Sequence, residues 1–152
     1  MGDRGFEIYA GSFKEICVAC ADELLFEKLQ NGEITSNLVH FSDEVDPGDI
    51  LFLDQALASM LGVLVDFDMD RVELENGYFV DCIKQAWVAA VAKISEKQVP
   101  ELQRRWILKF VEVEEREPDW ASIDQSLTLQ RFLQICQVAQ REQFDLVMVW
   151  FL

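Results

Sequence analysis

The chain has 152 residues, of which 51% are hydrophobic and 11% aromatic, so it can fold around a buried core rather than remain disordered. Its formal net charge of −15 at pH 7 argues against binding to nucleic acid or anionic lipid, because such contacts need clustered lysine and arginine. Only 7 glycines and 3 prolines are present, which favours helices over a turn-rich β-sandwich.

The first predicted helix begins at Ser12, which forms a capping-box pattern with Glu15, and it is expected to stop at Asn31-Gly32. Residues 33–45 are predicted to be a connecting loop. A second helix opens at Asp46-Pro47, because aspartate is a good N-cap and proline suits the first helical position.

Alternation replaces helical spacing at residues 66–70, where aspartate alternates with phenylalanine and methionine. This pattern predicts a short edge strand or an extended linker. A third helix is expected to begin near Asn76-Gly77 and to continue through Ile94. A fourth starts at Pro100 and must end before Pro118, since the residue that precedes a proline is driven out of the α region.

The fifth helix is predicted to start near Ser122, where Gln125 completes a second capping-box pattern. Residues 144–152 fit either a helix or an interior strand, and their β-branched and aromatic content favours the strand. Its expected partner is the 6–10 segment or the 63–69 segment. The predicted fold is therefore one domain over residues 1–152, mainly α with α+β as an alternative, with about five helices and short terminal strands that pair.

The four cysteines are predicted to be reduced and mostly buried thiols, namely Cys17, Cys20, Cys82 and Cys136. The first two form a single CxxC, which is a weak signal for zinc or redox chemistry without a second pair. The aspartates at 66, 68 and 70 begin like a calcium loop, but Arg71 and Gly77 stand where that loop needs glycine and glutamate. We expect no metal and no cofactor.

No catalytic residue is predicted. His40, the single histidine, could act as a general base, but no neighbour in the sequence orients it. The chain contains no phosphate-binding glycine loop and no nucleophile elbow. The longest apolar runs, residues 86–92 and 146–152, are far shorter than the ~18–20 residues of a membrane span. With no apolar targeting region at its start, the chain is expected to be cytoplasmic.

The acidic residues are concentrated in one half of the chain. Residues 1–82 contain 18 acidic and 4 basic residues, a balance of −14, whereas residues 83–152 contain 10 and 9, a balance of −1. Residues 83–110 form a basic stretch, and a second acidic cluster follows it at residues 112–117. Such an uneven field favours a cationic partner, so we predict that the acidic half presents one continuous negative surface.

The predicted partner-binding residues are the acidic side chains of residues 43–75 and one tryptophan between an aspartate and a helix start. Trp120 is expected to be the tryptophan nearest the surface; packing against the fifth helix as a staple is favoured for it, and an interface anchor is the functional alternative. The full set is Asp43, Glu44, Asp46, Asp49, Asp54, Asp66, Asp68, Asp70, Glu73, Glu75 and Trp120.

Three classes of function fit these observations. The favoured one is an acidic protein-binding module that masks a basic partner, and in charge and size the chain resembles bacterial immunity proteins that neutralise toxins. It matches no family motif. The alternatives are a regulatory or scaffold protein with no inhibitory role and, less favoured, an enzyme with a carboxylate-lined cleft. The oligomeric state is not predicted.

Overall fold

The computed structural model describes residues 5–62 and 67–151, and its central feature is a five-stranded antiparallel sheet. The order of the strands in the sheet is β2-β1-β5-β4-β3. The prediction of a mainly α fold is therefore wrong, and the chain is α+β. The strands are β1 (Phe6–Gly11), β2 (Leu38–Phe41), β3 (Met69–Glu73), β4 (Tyr78–Ile83) and β5 (Asp145–Phe151).

The predicted pairing of the two terminal strands is confirmed. Phe6 of β1 lies opposite Trp150 of β5, and Gly11 lies opposite Asp145. β5 occupies the middle of the sheet, and its residues 146–149 are buried on both faces. This explains why its sequence is apolar at consecutive positions rather than alternating.

The hairpin of β3 and β4 replaces the start of the predicted third helix. Leu74 and Tyr78 close a three-residue loop in which Gly77 has a φ of +93°, a conformation that suits glycine. The Asn76-Gly77 pair thus turns a hairpin instead of beginning a helix. Only the second half of the predicted helix forms, as α4 (Gln85–Val91).

Two further boundaries differ from the prediction. The predicted loop at residues 33–45 contains β2, which pairs with β1. The predicted first helix is two helices, α1 (Phe13–Cys20) and α2 (Glu23–Gln30). The break occurs because the Asp22 side chain accepts a hydrogen bond from the Leu25 amide and so caps a new helix.

The remaining helices are α3 (Ile50–Leu61), α5 (Val99–Glu114) and α6 (Ser126–Glu142). α5 matches the predicted fourth helix, whereas α6 starts after a short 3-10 turn, Asp119–Ser122, that occupies the predicted start of the fifth. No described helix, in 5–62 or in 67–151, has both the length and the apolarity to cross a membrane.

The sheet separates two hydrophobic cores. α1 and α2 cover one face, where Tyr9, Val147 and Val149 are fully buried. The larger core lies on the opposite face, where α4 and α6 pack on the sheet and α3 and α5 pack against each other. Phe41 at the end of β2 contacts both Trp106 of α5 and Phe132 of α6, so the end of β2 is held firmly against the helices.

Candidate acidic cleft

Five of the predicted partner-binding residues line one open cleft of about 550 Å³. The loop that joins β2 to α3 forms one wall, and the segment between α5 and α6 forms the other. Phe52 of α3 and Phe110 of α5 supply apolar surface between the walls. The five predicted residues are Asp43, Glu44, Asp46, Asp49 and Trp120.

Local hydrogen bonds fix the first wall. Pro47–Asp49 is a 3-10 turn with a capping box: Asp46 Oδ1 accepts from the Gly48 amide at 2.8 Å, and Asp49 Oδ2 accepts from the Asp46 amide at 2.9 Å. The Asp46-Pro47 signal in the sequence therefore starts this turn, and α3 follows directly. Asp43, Glu44 and Asp46 remain exposed on the resulting loop.

Asp49 connects the two walls. Asp49 is 7% exposed, and the same Oδ2 also accepts from Trp120 Nε1 at 3.0 Å. Its backbone carbonyl accepts from Trp106 Nε1 at 2.9 Å. Burial raises the pKa of Asp49 above its usual value, and the two N–H donors oppose that shift. Asp49 thus holds the cleft together rather than presenting a free carboxylate.

The prediction that Trp120 lies nearest the surface is wrong. Trp120 is 1% exposed and packs on Trp106 with ring centres 4.1 Å apart, whereas Trp150 is the only tryptophan of the four that is not buried. The reason is that the 3-10 turn at 119–122 directs the indole inward, toward Asp49. Trp120 therefore forms part of the floor of the cleft.

The cleft already holds a cationic group of this chain. Six carboxylates and one cation, Arg116, are found among the described residues that line it. The guanidinium of Arg116 lies 5.1 Å from the ring centre of Phe110, and its Nη1 is 3.8 Å from Asp119 Oδ1. An aromatic face beside carboxylates is an arrangement that attracts a guanidinium or an ammonium ion. The six are Asp43, Glu44, Asp46, Asp49, Glu114 and Asp119.

His40 lies on β2 next to the cleft, between two carboxylates. Its Nδ1 is 3.7 Å from Glu7 Oε1 on β1, and its Nε2 is 3.6 Å from Asp43 Oδ1. The Glu7 carboxylate raises the pKa of His40 above its usual 6.5; partial burial opposes this shift, and Asp43 adds to it. Glu7 is far from His40 in the sequence, so the sequence did not predict this contact. The register of β1 and β2 places the two residues opposite each other.

A titration of this single histidine by NMR is expected to give a pKa above 6.5. Because the protonated ring is favoured in the folded state, its stabilising contribution is complete below pH 6.5 and is lost as the pH rises through the folded pKa. Glu7→Gln should lower the pKa more than Asp43→Asn does. An unchanged pKa in Glu7→Gln would contradict the assignment.

The other predicted acidic residues lie elsewhere. Asp54 accepts a hydrogen bond from Trp87 Nε1 at 2.8 Å, and Asp68 pairs with Lys84 at 2.7 Å. Asp70 and Glu73 lie on the edge strand β3, Glu75 lies in the turn after it, and Asp66 falls outside the described residues.

The predicted continuous negative surface is therefore divided. β2, whose end leads into the cleft, and β3 form opposite edges of the sheet, four strand spacings or roughly 19 Å apart. The cleft also contains residues that the sequence did not single out, namely Phe52, Phe110 and Arg116. The sequence showed that residues 112–117 are acidic, but it did not predict that they lie opposite residues 43–49.

The described residues contain no group of three or more histidine, cysteine or carboxylate side chains arranged to hold a metal ion. Cys20 and Cys136 are buried, as predicted, while Cys17 and Cys82 are partly exposed. Burial raises the pKa of Cys20 to about 12 and that of Cys82 to about 11, so both thiols are protonated at neutral pH.

A scan against protein-family models found no match to this chain. Searches of curated proteins and of solved structures also found no similar protein.

Proposed function

We propose that this protein binds a basic protein partner through the acidic cleft and thereby masks a positively charged surface of that partner, as an immunity protein masks a toxin. The observation that carries the proposal is Arg116, whose guanidinium lies between an aromatic ring and a carboxylate in the cleft. A lysine or arginine of a partner would meet the same chemistry beside Asp43, Glu44 and Asp46.

The charge of the cleft supports a role in recognition. Several of its exposed carboxylates are on fixed elements: Asp46 caps the turn at 47–49 on one side, and Glu114 and Asp119 lie at the end of α5 and in the turn at 119–122 on the other. Fixed charges of one sign accelerate the encounter with a partner of opposite charge and disfavour partners of like charge, including nucleic acid and anionic membranes.

Binding is favoured over catalysis because the one buried carboxylate of the cleft already has a structural role. Asp49 Oδ2 accepts hydrogen bonds from the Asp46 amide and the Trp120 indole. The carboxylates that remain face solvent, where they can pair with cations. We further propose a cytoplasmic location, since four free cysteines suit a reducing compartment.

The proposal can be tested by affinity capture at about 0.1 M and 1 M salt, where the Debye length is ~10 Å and ~3 Å, followed by measurement of Kd for the identified protein. The test variant is Asp43→Asn/Glu44→Gln/Asp46→Asn, in which asparagine still caps the turn. Its matched control is Glu23→Gln/Glu27→Gln/Glu33→Gln, which removes the same charge from exposed positions outside the cleft.

We expect salt-sensitive capture of a basic protein and a Kd raised about tenfold or more in the cleft variant, with a smaller change in the control. Equal losses in both triple variants would mean that net charge alone acts, and an unchanged Kd would overturn the cleft as the binding site. Loss of the partner's own activity in the complex would distinguish an inhibitor from a scaffold.

A further inference from the structure

The two edges of the sheet differ in whether side chains form hydrogen bonds with the backbone carbonyls that point away from the sheet. At the β2 edge, the guanidinium of Arg131 on α6 donates to the carbonyls of Leu38 at 3.2 Å and Ser36 at 2.8 Å. This side chain therefore occupies acceptors that another strand would need. At the β3 edge, no described side chain donates a hydrogen bond to an outward carbonyl.

The register shows which groups of β3 are free. The Lys84 amide donates to the Asp68 carbonyl, and the Leu74 amide donates to the Tyr78 carbonyl. Because hydrogen bonding alternates along an antiparallel strand, Asp70 and Val72 also face β4, and Met69, Arg71 and Glu73 face away from the sheet.

Of the three outward-facing residues, only Met69 has a backbone group that forms a hydrogen bond with a described side chain. The Met69 amide donates to Asp68 Oδ1 at 2.8 Å. Within the described part of the chain, the outward amides and carbonyls of Arg71 and Glu73 have no hydrogen-bond partner. Two consecutive outward positions, spaced as in a strand, are what an added strand requires.

The edge is also held rigid. Arg71 forms a two-point ion pair with the buried carboxylate of Asp81, at 2.7 and 3.1 Å, and its guanidinium lies 5.0 Å from the ring centre of Trp150. On the other face of β3, Val72 is 37% exposed. A strand that docks here therefore meets a preorganised backbone and an apolar side chain, which lowers the entropy cost of binding.

Charge selects the occupant. Asp70, Glu73 and Glu75 are exposed along this edge and its turn. Pairing of β3 with a second copy of this chain would bring these carboxylates against each other, which is unfavourable. We propose that an extended segment of the partner, rich in lysine or arginine and with alternating apolar residues, adds to β3 as a sixth strand. This inference rests on the proposed function, because it assigns a binding mode to the same basic partner.

The probe is a short synthetic peptide in which lysine and valine alternate. The controls are a peptide of the same composition with the order of lysine and valine scrambled, and an N-methylated version of the probe. N-methylation of alternate residues removes the donors from one edge of the peptide. Binding is followed by NMR at peptide concentrations up to about 1 mM, through the chemical shifts and hydrogen exchange of the Arg71 and Glu73 amides.

The matched protein variants are Glu73→Pro and Glu73→Gln. Proline removes the outward N–H but no hydrogen bond to β4, whereas glutamine removes the same charge and keeps the N–H. We expect protection of both amides, a Kd raised about tenfold by Glu73→Pro and less by Glu73→Gln, and no binding of the methylated peptide. Cross-strand contacts between β3 and β4 report whether the proline variant is folded, and the methylated peptide gives the same test without a variant.

Four outcomes would overturn the inference: no binding, equal binding of the methylated peptide, formation of a β3-paired dimer, or shifts confined to residues 43–49 and 114–119. The last of these would still support the acidic cleft, so it separates failure of the edge-strand inference from failure of the proposed function. Conversely, protection at β3 with no effect of the cleft variant would retain the edge and reject the cleft.

Discussion

Trp120→Ala is expected to lower the free energy of unfolding by about 3–5 kcal/mol, the range found when a buried tryptophan is truncated. Trp120 is 1% exposed and packs on Trp106, with Phe110 6.2 Å away between ring centres. Truncation leaves a cavity beneath the cleft and deprives the buried Asp49 carboxylate of an N–H donor. Chemical denaturation, with the unfolding slope compared between variants, measures the loss.

Trp120→Phe separates the two contributions. Phenylalanine retains most of the packing but cannot donate to Asp49, so we expect a loss of about 1–2 kcal/mol. If Trp120→Phe were as damaging as Trp120→Ala, the hydrogen bond rather than the packing would determine the stability of this wall. If neither variant were destabilised, the placement of the indole would be wrong.

Arg71→Met is expected to cost about 3 kcal/mol, because it leaves the carboxylate of Asp81 buried without its counter-charge. The Asp81 side chain is 0% exposed, and among the described residues only the Trp150 indole, which donates at 2.7 Å, would remain as a side-chain hydrogen-bond partner. The outer end of Arg71 reaches solvent, so the reverse deletion, Asp81→Leu, should be less costly. Equilibrium denaturation of both single variants tests this asymmetry.

The double variant Arg71→Met/Asp81→Leu is the control. Replacing both members of a buried ion pair with apolar side chains is often close to neutral, so the double variant should recover most of the stability lost in Arg71→Met. If the two losses simply added, the residues would not be coupled, and the rigidity attributed to the β3 edge would have no basis.

The sequence predicted those parts of the fold that local patterns specify. The apolar run of residues 146–151 identified a strand, and Pro100 and Pro118 bounded α5 closely. The hairpin was missed because residues 79, 82, 83, 86 and 87 are apolar at helical spacing by coincidence, which hid the Asn76-Gly77 turn signal.

The candidate site was predictable only on one side. The acidity of residues 43–49 was evident in the sequence, and Asp46-Pro47 indicated a capped start, although a 3-10 turn rather than the predicted α-helix begins there. Their proximity to Glu114, Arg116 and Asp119 arises from the packing of α3 on α5 and from the bond between Asp49 and Trp120, 71 positions apart. No local pattern encodes a contact of that range, so the aromatic surface and the resident arginine could be found only in three dimensions.

The middle position of β5 has a consequence for how the nascent chain acquires its structure. β5 is the last of the five strands to be synthesised, yet it joins the β1–β2 pair to the β3–β4 pair. Until residues 145–151 leave the ribosome, each pair has an inner edge with unsatisfied backbone groups. Completion of the sheet must therefore follow translation of nearly all the described chain. A translation product that stops before β5 would expose two unpaired strand edges, which can form hydrogen bonds with other polypeptides and aggregate.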